Sequence, residues 1–130
     1  MPDQSTFDDL LVDEEEVNEE ILTETVINYV QIGEQSGNLV PKSAYDDLTA
    51  REKIVVALLA HRARFGLDMV EGEWIKPGAI SSMTGVKKNT VYPAVRDLAD
   101  EGIARNSDEG AYMIPSVNVE QACDYLEGDD

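Results

Sequence analysis

Pro93 constrains this chain more than any other residue, because it stands inside a stretch that otherwise reads as helix. The stretch is Gly85-Val86-Lys87-Lys88-Asn89-Thr90-Val91-Tyr92-Pro93-Ala94-Val95-Arg96-Asp97-Leu98-Ala99-Asp100-Glu101-Gly102-Ile103. A proline has no N–H to donate, and its ring crowds the carbonyl four residues back, so it belongs near the first turn of a helix. That predicts a start near Asn89 or Thr90, both acceptable N-caps, and a stop at Gly102. Val91, Val95, Leu98 and Gly102 fall at i, i+4, i+7 and i+11 and share one face. Lys88, Tyr92 and Arg96 are four apart and line a different face. One face can bury, and the other is offered outward with its basic and amide groups at the start. Such a rod suits the major groove of DNA.

The residues ahead of it supply the rest of a helix-turn-helix. Thr49 and Glu52 have the spacing of a capping box that opens a helix. Ile54, Val55, Leu58, Leu59 and Phe65 form its apolar side, and Gly66 can end it. Glu73-Trp74-Ile75 is a short extended candidate, with Trp74 expected to anchor it against the wing and the first helix. Pro77 fits the first turn of a helix running to about Met83. Thr84-Gly85-Val86 is then the turn. After the outward-facing helix, Ile103-Ala104-Arg105 and Ala111-Tyr112-Met113-Ile114 flank a polar tip and read as a hairpin ended by Pro115.

At the front, Asp13-Glu14-Glu15-Glu16 suits a helix N-terminus. Val17, Ile21, Leu22, Val26, Tyr29 and Val30 make a helical stripe to about Ile32, although the β-branched residues there leave a strand open. Residues 33–38 read as a stop and linker. Ser116 to Leu126 reads as a terminal helix, with Val119, Ala122, Cys123 and Leu126 on one side.

Charge is distributed unevenly. The chain carries 27 acids and 10 bases, a formal charge of −17. Residues 1–50 hold 13 acids and one base, and residues 106–130 hold seven acids and no base. Residues 51–105 hold nine bases and seven acids, so the motif lies in the one part that is not acidic. A protein that must touch phosphate has to relax its acidity at the contact. The acidic excess itself admits two accounts: work in very high salt, or a charge that is functional, as in a mimic of nucleic acid. Acids spread over ends and loops, with few lysines, favour the salt-adapted account.

Other classes find little support. No P-loop, GxSxG, HExxH or dinucleotide fingerprint is present, so no enzyme and no cofactor is expected. His61 is the single histidine, and no Cys/His grouping could hold zinc. Cys123 stands alone and reads as a small core residue or a redox-sensing thiol. Arg62 and Arg64 read as solvated or partner-facing, with a contact to the DNA backbone left open. No basic-then-apolar leader and no long apolar run appear, so neither a signal peptide nor a membrane span is expected, and a reducing cytoplasm fits.

On these residues the chain resembles winged helix-turn-helix transcription regulators across residues 47–115. The run from Thr90 to Ile103 is similar to the PadR type, in which a Tyr-Pro pair opens the recognition helix and an acidic-Gly-aliphatic step leads to the wing. The resemblance implies a mainly α fold with a small β-wing, extended here by an N-terminal helix and a short C-terminal helix. It implies a homodimer that binds partly palindromic double-stranded DNA, with Lys87, Lys88, Asn89, Thr90, Tyr92 and Arg96 facing the groove and Arg105 at the base of the wing. The domain reading is a flexible acidic N-terminus (1–13), an N-terminal helix and linker suited to dimerisation (14–46), the winged helix-turn-helix (47–115), and a C-terminal helix with an acidic tail (116–130).

Several roles have two readings. Lys87 and Lys88 contact phosphate or are solvated. Asn89 pairs with adenine or caps the helix. Tyr92 meets a sugar or thymine methyl, or packs. Arg96 reaches phosphate or guanine, or pairs with Asp97 or Asp100. For the whole chain the alternatives are a winged helix that contacts protein and an acidic decoy for nucleic-acid-binding proteins.

Overall fold

The computed structural model describes residues 7–127. Residues 1–6 and 128–130, which carry parts of the expected acidic N-terminus and tail, lie outside the described residues. The fold is mainly helical with small antiparallel sheets.

Phe7–Leu10 forms a single 3-10 turn within the segment expected to be loose. Helix α1 then spans Glu14–Val26. Asp13 caps it, its Oδ1 accepting from the N–H of Glu15 at 3.0 Å and of Glu16 at 3.3 Å. Three glutamates fill the first turn, where the helix dipole favours negative charge.

The helix expected to reach Ile32 ends six residues early, and the expected linker is the turn of a hairpin. Strand β1 (Val30–Ile32) pairs antiparallel with β2 (Leu39–Pro41), Val30 opposite Pro41 and Ile32 opposite Leu39. The β-branched side chains that allowed either reading pack well on a pleated surface. Gly37 supplies a φ of 77° in the connecting turn. The carbonyls at the end of α1 find donors nearby: Lys42 Nζ donates to the Ile27 carbonyl at 2.6 Å, and the Asn28 side chain to that of Glu24 at 3.2 Å.

A short helix α2 (Ser43–Asp46) leads to α3 (Ala50–Gly66). The expected capping box is formed: Thr49 Oγ1 accepts from Glu52 N at 3.1 Å, and Glu52 Oε1 accepts from Thr49 N at 2.8 Å. Every residue from Ile54 to His61 is buried, so α3 is enclosed on all sides rather than along one stripe. Two pairs of helices surround it. One pair is α4 (Pro77–Thr84) with α5 (Lys88–Asp100); the other is α1 with α6 (Val119–Leu126). Leu22 and Val26 of α1 belong to the same core as Val91, Val95 and Leu98 of α5. The expected core residue Phe65, near the end of α3, is instead 36% exposed.

After α5, Gly102 (φ 83°) turns the chain back, and the N–H groups of Ile103 and Ala104 both donate to the Leu98 carbonyl at 3.0 and 3.1 Å. Strand β3 (Arg105–Asn106) pairs with β4 (Tyr112–Met113), a shorter hairpin than the sequence suggested. Ile75 joins β4 through a reciprocal bridge with Tyr112, 2.9 and 2.7 Å. Trp74 does not anchor this contact. It points outward, 41% exposed, while Ile75 points in, as alternation along an extended segment requires. Ser116–Asn118 is a 3-10 turn ahead of α6, so the terminal helix starts three residues later than read. Asn118 Nδ2 donates to the carbonyls of Gly102 and Ile103 at 2.9 and 3.1 Å, fastening the exit of α5 to the start of α6. Among the described residues no helix is long and apolar enough to cross a membrane.

Candidate nucleic-acid interface

The turn before α5 is held by a closed set of hydrogen bonds. Gly85 adopts φ 80°, and its N–H donates to the Ser81 carbonyl at 2.9 Å. A β-carbon at this position would meet nothing within 4 Å, so the requirement for glycine is conformational rather than steric. Ser81 Oγ donates to the Val86 carbonyl at 2.6 Å, and Thr84 Oγ1 accepts from Val86 N at 3.1 Å. Tyr45 adds a donor from α2, its hydroxyl reaching the Thr84 carbonyl at 3.0 Å. These bonds fix where α5 begins.

The start of α5 differs from the expectation. The N-cap is Lys87, with φ −64° and ψ 145°, and no side chain caps the helix. Asn89 and Thr90 are therefore inside the first turn, exposed, and neither is the cap. Pro93 consequently falls inside the helix, past the first turn. Its missing N–H leaves the Asn89 carbonyl without the usual donor four residues on. Pro93 lies on the solvent side of α5, where such a carbonyl can be hydrated.

The two faces separate as their spacing implied. Val91, Ala94, Val95 and Leu98 are buried, whereas Lys87, Lys88, Asn89, Thr90, Tyr92 and Arg96 are exposed. Tyr92 is 47% exposed, so it is not a packed core aromatic. The Lys88 stem lies over Gly78 of α4, where a β-carbon would come within 3.6 Å of Lys88 Cε. Arg105 is exposed on β3, beyond the far end of the helix. The hairpin tip carries Asp108 and Glu109, held in a tight turn by Ser107 Oγ, which accepts from Glu109 N at 3.2 Å and Ala111 N at 3.1 Å.

Arg96 does not pair with Asp97 or Asp100. Its Nε donates to the Tyr92 carbonyl at 3.4 Å. Asp97 turns instead to Arg51 at the start of α3, 2.7 Å away, and Glu101 accepts from the same guanidinium at 3.1 Å. Arg51 thus engages two carboxylates, Asp97 on α5 and Glu101 just beyond its end. The sequence offered no signal for this clamp.

The two other arginines of α3 make bonds within the chain. Arg62, expected to be solvated, is instead largely engaged within the chain: it pairs with Glu73 at 3.0 Å and donates to Ser116 Oγ at 2.9 Å. Arg64 donates to the Gly37 carbonyl at 3.0 Å and to His61 Nδ1 at 2.7 Å, tying α3 to the β1–β2 turn. The other ring nitrogen of His61 donates to the Gly72 carbonyl at 3.0 Å. Burial, and then the Arg64 guanidinium, hold the His61 imidazole below the usual histidine range. Cys123 is buried, and burial pushes its thiol up, which disfavours the reactive thiolate. Among the described residues no group of three or more His, Cys, Asp or Glu could hold a metal ion.

Comparison with protein-family models, with curated proteins and with solved structures gave no match to this chain.

Proposed function

We propose that this protein is a sequence-specific DNA-binding transcription regulator of the winged helix-turn-helix type, acting as a homodimer in the cytoplasm. The observation that carries the reading is the outer face of α5. It presents Lys88, Tyr92 and Arg96 on successive turns with Lys87, Asn89 and Thr90 at the open N-terminal end, while Arg51 engages Asp97 and Glu101. The succession α3, bridged Ile75, α4, turn, α5, β3–β4 supports the winged form.

In this reading the N-terminus of α5 enters the major groove. Lys87 and Lys88 meet phosphate, aided by the uncapped backbone N–H groups. Asn89 is free of capping duty and can pair with adenine N6 and N7, and Arg96 with guanine or phosphate. The acidic hairpin tip stays out of the minor groove, and Arg105 at its base meets the backbone. Two copies place their recognition helices about 34 Å apart, one turn of duplex. Occupancy of the site then blocks or assists the transcription machinery.

A gel-shift titration against the chain's own upstream region tests this. Lys88→Ala and Arg96→Ala should each lower affinity about 10- to 100-fold while leaving the fold intact. The exposed Trp74 and acidic hairpin tip favour one second reading, in which the domain contacts a protein. Unchanged DNA affinity in both variants would support that reading instead.

A further inference from the structure

A cleft of about 300 Å³ opens between α1, the C-terminal end of α3 and the residues leading into α6. Leu22 and Val119 form its buried floor, and Phe65 and Leu67 form an apolar side left 36% and 64% exposed. Glu15 and Glu19 stand on its α1 side. The cleft shares no residue with the outer face of α5.

We propose that this cleft binds a small organic cation with an apolar body, of the aryl or alkyl quaternary ammonium class. The apolar body covers Leu22, Phe65 and Leu67, removing from water the hydrocarbon that the monomer leaves exposed. The cationic head lies beside the two carboxylates, on the cleft that the Phe65 ring also lines. Arg62 also lines the cleft, but its guanidinium is bonded to Glu73 and Ser116, and the Glu73 carboxylate offsets its charge. Ser116 Oγ donates to Glu15 Oε1 at 3.1 Å, which orients that carboxylate and leaves its other oxygen open. An anion of the same shape would meet two carboxylates with no free cation to offset them. The volume is at the low end for small-molecule sites, which limits the ligand to about one ring.

Calorimetric titration of the full chain with benzyltrimethylammonium tests the proposal, with phenylacetate and benzyl alcohol as anionic and neutral counterparts. The cation should bind saturably with Kd below about 1 mM, and its counterparts at least about tenfold more weakly. Glu19→Gln should weaken the cation about tenfold. Glu34→Gln, an equal change of net charge in the exposed β1–β2 turn, should leave it unchanged. Gly66→Leu should abolish binding without unfolding the chain, because Gly66 lines the cleft and a β-carbon there meets nothing within 4 Å. Equal effects of the Glu19 and Glu34 variants would reduce the binding to counterion attraction and overturn the proposal. So would indifference to Gly66→Leu, equal binding of phenylacetate, or absence of saturation. The titration contains no DNA, so its failure and a failure of DNA binding are separate results.

Discussion

Among the described residues the Arg96 guanidinium reaches only the Tyr92 carbonyl, at 3.4 Å, so most of its N–H groups remain open to solvent. A bidentate contact from such a group to guanine discriminates by about 1–3 kcal/mol. Arg96→Lys is therefore not conservative: it keeps the charge and loses the fork. Lysine should retain non-specific affinity and lose preference for the cognate site by about tenfold, read by competition with random duplex. Retained preference would mean that Arg96 meets only phosphate. His61 is the opposite case, a side chain kept neutral. Its folded-state pKa lies below the ordinary 6.5, so the folded chain binds fewer protons than the unfolded one around that pH. The corresponding stability is present above pH 6.5 and is lost as pH falls through the depressed folded value. Protonation would also set an imidazolium against the Arg64 guanidinium at 2.7 Å. Thermal melts of wild type and His61→Gln between about pH 8 and pH 5 isolate this effect from the many carboxylates. Wild type should lose stability relative to the variant on acidification; parallel curves would mean that His61 does not titrate in this window.

At the scale of elements, the arrangement of α3 against α5 matters through Arg51 as well as through the core. The pair with Asp97 joins side chains 32% and 51% exposed, so it contributes at most about 1 kcal/mol to stability. Arg51→Ala should leave the melting temperature nearly unchanged, release Asp97 and Glu101 toward the cationic row, and weaken DNA binding about three- to tenfold. Unaltered affinity would show that those carboxylates do not matter to the duplex. Arg51 also shows where the sequence stopped being informative. Its partners lie 46 and 50 residues away, and no local pattern encodes such a contact. The faces of α5 were legible because apolar period, glycine stop and proline are all local. The capping box at Thr49 and Glu52 was legible for the same reason. The start of α5 was misread because Asn89 and Thr90 are good caps in isolation, yet the turn bonded through Ser81 and Thr84 begins the helix at Lys88. The β1–β2 hairpin was missed because Val26 to Ile32 satisfies a helical stripe and a strand alike. What decided it was Lys42 and Gly37, residues outside that run.

For the whole molecule, a charge of −17 means that the chain repels itself and its proposed ligand in dilute buffer. Stability should rise with KCl as this repulsion is screened. Counterion release on DNA is bounded by the exposed cations at the site, Lys87, Lys88, Arg96 and Arg105 in each protomer. For a dimer that caps the slope of log affinity against log salt at about −7. Base contacts that do not reach phosphate, and the acidic surroundings, make it shallower still. A slope steeper than that, read from anisotropy titrations across KCl, would require cations that this face does not possess. Leu22 and Val26 are already packed within one chain, so the proposed dimer would use surface other than that stripe. The account as a whole turns on whether the outer face of α5 reads base edges. Selection from a pool of random duplexes with wild type and the Lys88→Ala/Arg96→Ala double variant asks this most directly. The account predicts that wild type enriches one partly palindromic sequence with half-sites about one helical turn apart, and that the folded double variant enriches none. Enrichment of the same sequence by both proteins, or of no sequence by wild type, would contradict it.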